Sequence, residues 1–187
     1  MNRPAARIRF ERPSSARFSA DEFLRMADVG AFEDMKVELD HGELIRMNPP
    51  YTAHAACQMR IGTALVEAVK ARPLTVVGEV TVRLDDETVR GLDAAVIDSV
   101  SVSEQVLEPG HIRVGIEISD TTLETDLGPK LRDYASAGIA TYWVVDLNAR
   151  AVHVMIEPDG NGYRSRTLVR FGEPLTLPDG LGTIVLD

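Results

Sequence analysis

Cysteine is almost missing from this chain: Cys57 is the sole one in 187 residues. A single thiol excludes an intramolecular disulfide and any zinc site built on cysteine pairs. Long apolar runs are missing too, and no stretch approaches the roughly 20 residues that cross a bilayer. Aromatics make up 5% of residues, with one Trp, so nothing points to the aromatic groove of a sugar binder, and a carboxylate-pair glycosidase ranks last. No nucleophile-elbow pattern supports a Ser–His–Asp hydrolase. Positive charge is in deficit: the formal net charge is −9. That opposes a broad nucleic-acid-binding face, because phosphate affinity rests largely on Lys and Arg. It leaves room for a local basic groove, and for a divalent cation whose charge a residue count omits.

What is present is ordinary for a folded domain: 44% hydrophobic and 26% charged residues, against disorder. The length fits one domain with a sizeable core. The N-terminal MNRPAARIRFERPSSARF is basic and has no apolar h-region, so the expectation is a flexible tail over 1–17 rather than a secretory signal, followed by a single domain over 18–187. A cytoplasmic, non-membrane protein fits these features.

Along the chain, Ser19 and Glu22 stand in capping-box spacing and predict a helix over 19–29. The stretch KVELDHGELIRMNPP reads as strand, tight turn at His41-Gly42, strand, and a stop at Pro49-Pro50. Ala55, Ile61, Leu65, Val66 and Val69 recur near the helical period and predict a helix over 53–71. LTVVGEVTVRL and LDAAVID read as strands around a turn-like DDETVRG, SVSEQVLEPGH as a loop, and IRVGIEIS as a buried strand. DLGPKLRDYASAG reads as one helix stopped at Gly138. ATYWVVDL and AVHVMIE form a hairpin across 148–150, and GYRSRTLV and GTIVLD supply further strands. The order predicts an α+β or α/β domain with a mixed sheet flanked by helices.

Two of these apolar strands carry an acid. Glu117 lies in GIEISD, and Asp93 in LDAAVID. A buried carboxylate is costly unless it is paired, hydrogen-bonded or bound to a metal. Either Glu117 faces solvent, then, or it has a partner. If the two strands lie side by side their acids converge, and a divalent metal is the simple remedy for paired like charges. Magnesium typically takes one or two protein carboxylates, waters and a substrate phosphate. Lys130, one turn into the following helix, can return over the strand end to orient a water or stabilise charge on a phosphoryl group. Glu38 in VELDHGEL offers a further acid.

The ordered set VELDHGEL…H…LD…EIS…D…K…Y…G…YWVVD, from about Lys36 to about Glu157, resembles the Uma family of endonuclease-like proteins in the PD-(D/E)XK restriction-endonuclease-like superfamily. The resemblance implies a mixed central sheet flanked by helices, with acids on adjacent strands binding Mg²⁺ (Mn²⁺ as substitute) and DNA as substrate. It assigns Asp93 to the first-motif aspartate, Glu117 to the second-motif acid and Glu38 to the acid of the N-terminal hairpin. Asp93 and Glu117 are thus the expected metal ligands. The superfamily lysine normally stands two residues after the second acid, where this chain has Ser119; the Uma-like pattern carries it on the helix, at Lys130. The proline usual before the first-motif aspartate is Leu92. The resemblance also places a histidine at His54, to contact substrate or cap the helix.

Plainer readings stand beside these. Glu117 alone suits a solvent-facing strand acid, Asp93 alone a turn cap after Gly91, and Glu38 a cross-strand pair. Lys130 lies four residues after Asp126, the spacing of an exposed helix ion pair worth about 0.3–0.5 kcal/mol. Tyr134, Tyr142 and Trp143 read as packing aromatics, and Cys57 as a small buried hydrophobe. The expectation is a Mg-dependent endonuclease, a homodimer, in which Glu117→Gln or Lys130→Ala removes most cleavage and leaves the fold intact. The rival is a non-catalytic pseudo-nuclease that self-associates, favoured by the acidic charge.

Overall fold

The structure is a computed structural model and describes residues 15–187. The predicted tail over 1–17 falls, for residues 1–14, outside the described residues.

Helix α1 (Ala20–Asp28) begins with the predicted capping box: Glu22 N donates to Ser19 Oγ (3.3 Å) and Ser19 N to Glu22 Oε2 (2.9 Å). Its Phe23 packs with Leu39 and Val89 in a small core of its own. Strands β1 (Val37–Asp40) and β2 (Glu43–Arg46) form the predicted hairpin. Its turn residues His41 and Gly42 both have positive φ, +47° and +82°, as a two-residue hairpin turn requires to match strand twist. Helix α2 (Thr52–Val69) buries Cys57, Ile61, Leu65 and Val69 along one face, while Ala55 and Val66 of the predicted apolar set are exposed. Strands β3 (Leu74–Arg83), β4 (Val89–Asp98) and β5 (Ile112–Ser119) follow. Short helices α3 (Leu123–Asp126) and α4 (Pro129–Ser136) cross to β6 (Thr141–Asp146), which pairs parallel with β5. β7 (Ala151–Pro158) and β8 (Tyr163–Arg170) extend the sheet antiparallel, and β9 (Pro174–Thr176) with β10 (Thr183–Val185) makes a separate two-stranded sheet.

The result is an α+β fold: a mixed eight-stranded sheet in the order β2-β1-β4-β5-β6-β7-β8, with β3 also on β4. One face packs on α2 and the β9–β10 segment, through Ile61, Leu65, Val96, Ile116, Trp143 and Leu175. The other packs on α4, through Leu131, Tyr134, Tyr142 and Val144. Among the described residues no helix is long and apolar enough to cross a membrane.

Two local readings are corrected, and a third, the loop after β4, gains detail. The single helix expected from Asp126 to Gly138 is broken at Gly128-Pro129: proline cannot donate within a helix and suits the first position of a new one, and it starts α4. β4 begins at Val89 rather than Leu92, so Asp93 lies within a strand and caps no turn. The loop after β4 contains two 3-10 turns, Ser99–Ser103 and Pro109–His111.

The arrangement around β4 positions the site. β3 pairs with β4 from Arg83↔Val89 to Leu74↔Asp98, with a lapse at Glu79 opposite Asp93. The other edge is shared by two strands end to end: β1 touches it at Val89, and β5 from Ala94 onward. Between these contacts β4 residues 90–93 present an edge that no strand covers. Backbone groups left in such a gap need partners, and here side chains provide them.

Candidate active site

Two carboxylates close the uncovered edge. Gly91 N donates to Glu38 Oε1 (3.1 Å), so a β1 side chain stands in for a neighbouring strand. Ile118 N donates to Asp93 Oδ2 (2.7 Å), so a β4 side chain reaches across to β5. The β4–β5 register runs Ala95↔Gly115, Ala94↔Ile116, and its continuation sets Asp93 opposite Glu117. The side-by-side placement expected of the two acids is therefore present.

Helices on opposite faces add the remaining groups. From α2, His54 Nε2 lies 3.0 Å from Asp93 Oδ2, and Gln58 Nε2 donates to the Asp93 carbonyl (2.6 Å). From α4, Lys130 Nζ donates to Glu117 Oε1 (2.9 Å) and to Glu38 Oε1 (3.1 Å). Tyr134, one turn further along the same helix face, donates its hydroxyl to Glu117 Oε1 (2.8 Å). Arg90 Nη1 reaches Glu38 Oε2 (3.3 Å), and Arg90 Nη2 bridges Asp40 Oδ1 (2.7 Å) and Asp133 Oδ2 (2.6 Å). The cleft above these groups holds about 330 Å³ and is bounded by the β2–α2 segment and by residues 120–122 and 125–126.

Glu38, Asp93, Glu117 and Lys130 all stand together in this cleft, with His54 at its side. The exposed ion pair between Asp126 and Lys130 does not form. Lys130 is buried between Glu38 and Glu117, while Asp126 Oδ2 accepts from Ser119 Oγ (2.9 Å) and Thr122 Oγ1 (2.6 Å). Ser119, at the usual lysine position, is thus occupied with Asp126. Sequence reasoning missed Arg90 and treated Tyr134 as packing only. The four-residue spacing from Lys130 to Tyr134 was the available signal, since it sets both on one helix face. Arg90 carried no local signal, because its partners come from two distant segments, β1 and α4.

The electrostatics follow from burial and neighbours. Burial lifts the Glu117 carboxyl well above the usual carboxylate range, against the pull of the Lys130 ammonium. Burial would lower Lys130, but Glu117 and Glu38 outweigh it and hold the ammonium charged. Asp93 is pushed up by burial, yet the His54 hydrogen bond and the Ile118 N–H bring it below its ordinary value. The same hydrogen bond raises His54 above its ordinary value. Tyr134 is fixed as a neutral donor by burial.

Each of the two expected metal ligands has one oxygen held and one spare. Asp93 Oδ2 takes His54 and Ile118 N, and Glu117 Oε1 takes Lys130 and Tyr134. Among the described residues no donor lies on Asp93 Oδ1 or Glu117 Oε2. Both residues line the cleft, on the adjacent strands β4 and β5. The group of three whose possible ligand atoms converge among the described residues is a different one: Asp40, His41 and Asp133, all within 4.8 Å of one another. Arg90 Nη2 already bridges its two carboxylates.

A family model described as "Uma2: Putative restriction endonuclease" matches residues 20–187. A crystal structure described as a "putative nuclease belonging to DUF820 from Anabaena variabilis ATCC 29413" has a TM-score of 0.67 at 19% identity, over 86% of this chain and 89% of that one. At that identity the likeness speaks for the fold alone. No curated protein matches the chain. With the match running from α1 to the C-terminus, over the strands and helices that assemble the cleft, the chain belongs to the Uma2 family.

Proposed function

We propose that the protein is a Mg²⁺-dependent endonuclease that hydrolyses DNA phosphodiester bonds in the β1/β4/β5 cleft. The observation that carries this reading is the division of labour within each acid: one oxygen of Asp93 and one of Glu117 are pinned by protein donors, and the partner oxygens have none. Asp93 Oδ1 and Glu117 Oε2 would hold the cation, which when bound supplies Lewis acidity toward the phosphate and toward a water. Mn²⁺ is the expected substitute. Family membership supports the reaction class.

The chain's own groups have distinct tasks. His54 and Ile118 N orient the Asp93 carboxylate, and Tyr134 and Lys130 orient Glu117. Lys130, kept protonated by two acids, cannot take a proton from water at neutral pH. It serves instead as a fixed positive charge near the transferring phosphoryl group. Glu38 has both oxygens engaged, so it works by holding Lys130 and Arg90 in place. A cytoplasmic homodimer belongs to the same reading, the first from the single cysteine and the second by analogy with nucleases of this general type.

One observation favours the rival reading, a non-catalytic self-associating protein: Lys130 gives both Glu38 and Glu117 a counter-charge from the chain itself. Calorimetric titration of Mn²⁺ into wild type, Asp93→Asn and Glu117→Gln separates the two, alongside nicking of supercoiled plasmid. The nuclease reading expects wild type to bind Mn²⁺ and nick DNA, with both lost in each variant. Wild type that neither binds Mn²⁺ nor nicks the plasmid would favour the rival.

A further inference from the structure

Glu79 has φ +53° in the middle of β3. The β3–β4 ladder pairs Gly78 with Ala94 and Val80 with Leu92, and the pairing lapses between them, where Glu79 faces Asp93. A non-glycine residue in the left-handed region costs of order 1–3 kcal/mol and persists where surrounding structure enforces it. Here the distorted residue brings a carboxylate to the wall of the cleft, where it accepts from Lys36 Nζ and Gln58 Nε2. Gln58 also donates to the Asp93 carbonyl.

Lys36 stands two residues before Glu38, on the same face of the β1 segment, and its side chain lies over Gly91. A Cβ at Gly91 would stand 3.4 Å from Lys36 Cε and 3.8 Å from Nζ. Partial burial works against the ammonium, but Glu79, Asp93 and Glu117 together hold its charge. It differs from the other cations of the cleft that are bound to acids. Lys130 and Arg90 are buried and each bridges two or more carboxylates. Among the described residues Lys36 has one acid partner, and its side chain is 41% exposed against 46% for Glu79. A half-exposed single ion pair is worth little by itself, so its ammonium can be exchanged to another anion at small cost. A DNA phosphate approaching this acidic cleft needs such a cation besides any divalent metal.

Resting on the nuclease reading above, we propose that Lys36 is a substrate-binding residue, docked on Glu79 in the free protein and transferred to a backbone phosphate when nucleic acid enters. Glu79 is then a positioning residue that holds Lys36 at the cleft wall and gives it up.

The test uses the full chain, a plasmid cleavage assay with Mg²⁺, and fluorescence anisotropy with a non-cleavable phosphorothioate duplex in Ca²⁺. Lys36→Met should raise KM and weaken duplex affinity by about tenfold, the scale of one charged contact. It should leave kcat within about twofold and lower the salt slope of binding by about 1. Lys36→Arg should restore affinity. Mn²⁺ affinity in Lys36→Met should not fall, whereas a merely structural role would lower it together with cleavage. Glu79→Gln should tighten duplex binding, because the lysine no longer leaves an ion pair. Wild type that cleaves while Lys36→Met keeps its KM, affinity and salt slope overturns the inference alone. Glu79→Gln that weakens binding overturns the transfer. Wild type that neither cleaves nor binds duplex removes the nuclease reading, and this inference with it.

Discussion

At the scale of single residues, Lys130 has the largest effect on its surroundings. It is 5% exposed and lies between two acids that are themselves buried. Truncating one member of a buried charge cluster leaves the others uncompensated and costs about 3–5 kcal/mol. Lys130→Ala is therefore expected to lower unfolding free energy by about that amount in urea titrations. The burial of Lys130 thus replaces the intact fold expected of this variant from sequence with a predicted loss of stability. Glu117→Gln keeps the shape of the side chain and leaves Lys130 its second acid, so it is the cleaner variant for a cleavage assay.

His54 belongs to the same scale. Its pKa is raised above 6.5, mainly by the hydrogen bond to Asp93. A group raised on folding contributes stability that is full below its unfolded value and is lost as pH rises through its folded value. Wild type should thus exceed His54→Gln in stability most clearly below about pH 6.5, with the gap closing as pH rises through the folded pKa. Urea unfolding across pH checks this. A gap that widens with pH would show His54 to be neutral in its contact with Asp93.

At the scale of elements, the break between α3 and α4 aims Lys130. Gly128 takes φ −113° and ψ −102°, and a Cβ there would lie 2.5 Å from the Glu124 carbonyl oxygen. Backbone must move to relieve that contact. Gly128→Ala is expected to destabilise the protein by about 1–3 kcal/mol. Because the start of α4 shifts, it should also weaken Mn²⁺ binding at Glu117, measured by calorimetry. Unchanged stability and Mn²⁺ affinity would mean that the α3–α4 turn does not set the site. The uncovered stretch of β4 is the other decisive element. It exists because β1 and β5 share one edge without meeting, and side-chain oxygens of Glu38 and Asp93 fill the gap.

At the scale of the whole molecule, the nuclease reading must reckon with a net charge of −9. An acidic protein repels a polyanion until a cation is bound. Duplex affinity in anisotropy assays is expected to drop at least about tenfold when EDTA replaces Ca²⁺. Equal affinity in both buffers would indicate a cation-independent basic surface and would remove the need for a metal in substrate binding.

Much of this was readable from the chain alone. The capping box of α1, the His41-Gly42 turn, the buried face of α2 and the apolar strands β5 and β6 are local patterns, decided by dihedral preference and hydrophobic period. The acids Glu38, Asp93 and Glu117 and the lysine Lys130 stood out as charges set among apolar residues, or through their resemblance to a family pattern. What only the tertiary structure decided is which partners these charges have. The pairing of Lys130 with Glu38 rather than Asp126, the Tyr134 hydroxyl on Glu117 and the Lys36–Glu79 contact all join segments apart in sequence. Burial energy, not local propensity, selects such pairings: a charge withdrawn from water must find its counterpart wherever the packed sheet and helices bring one.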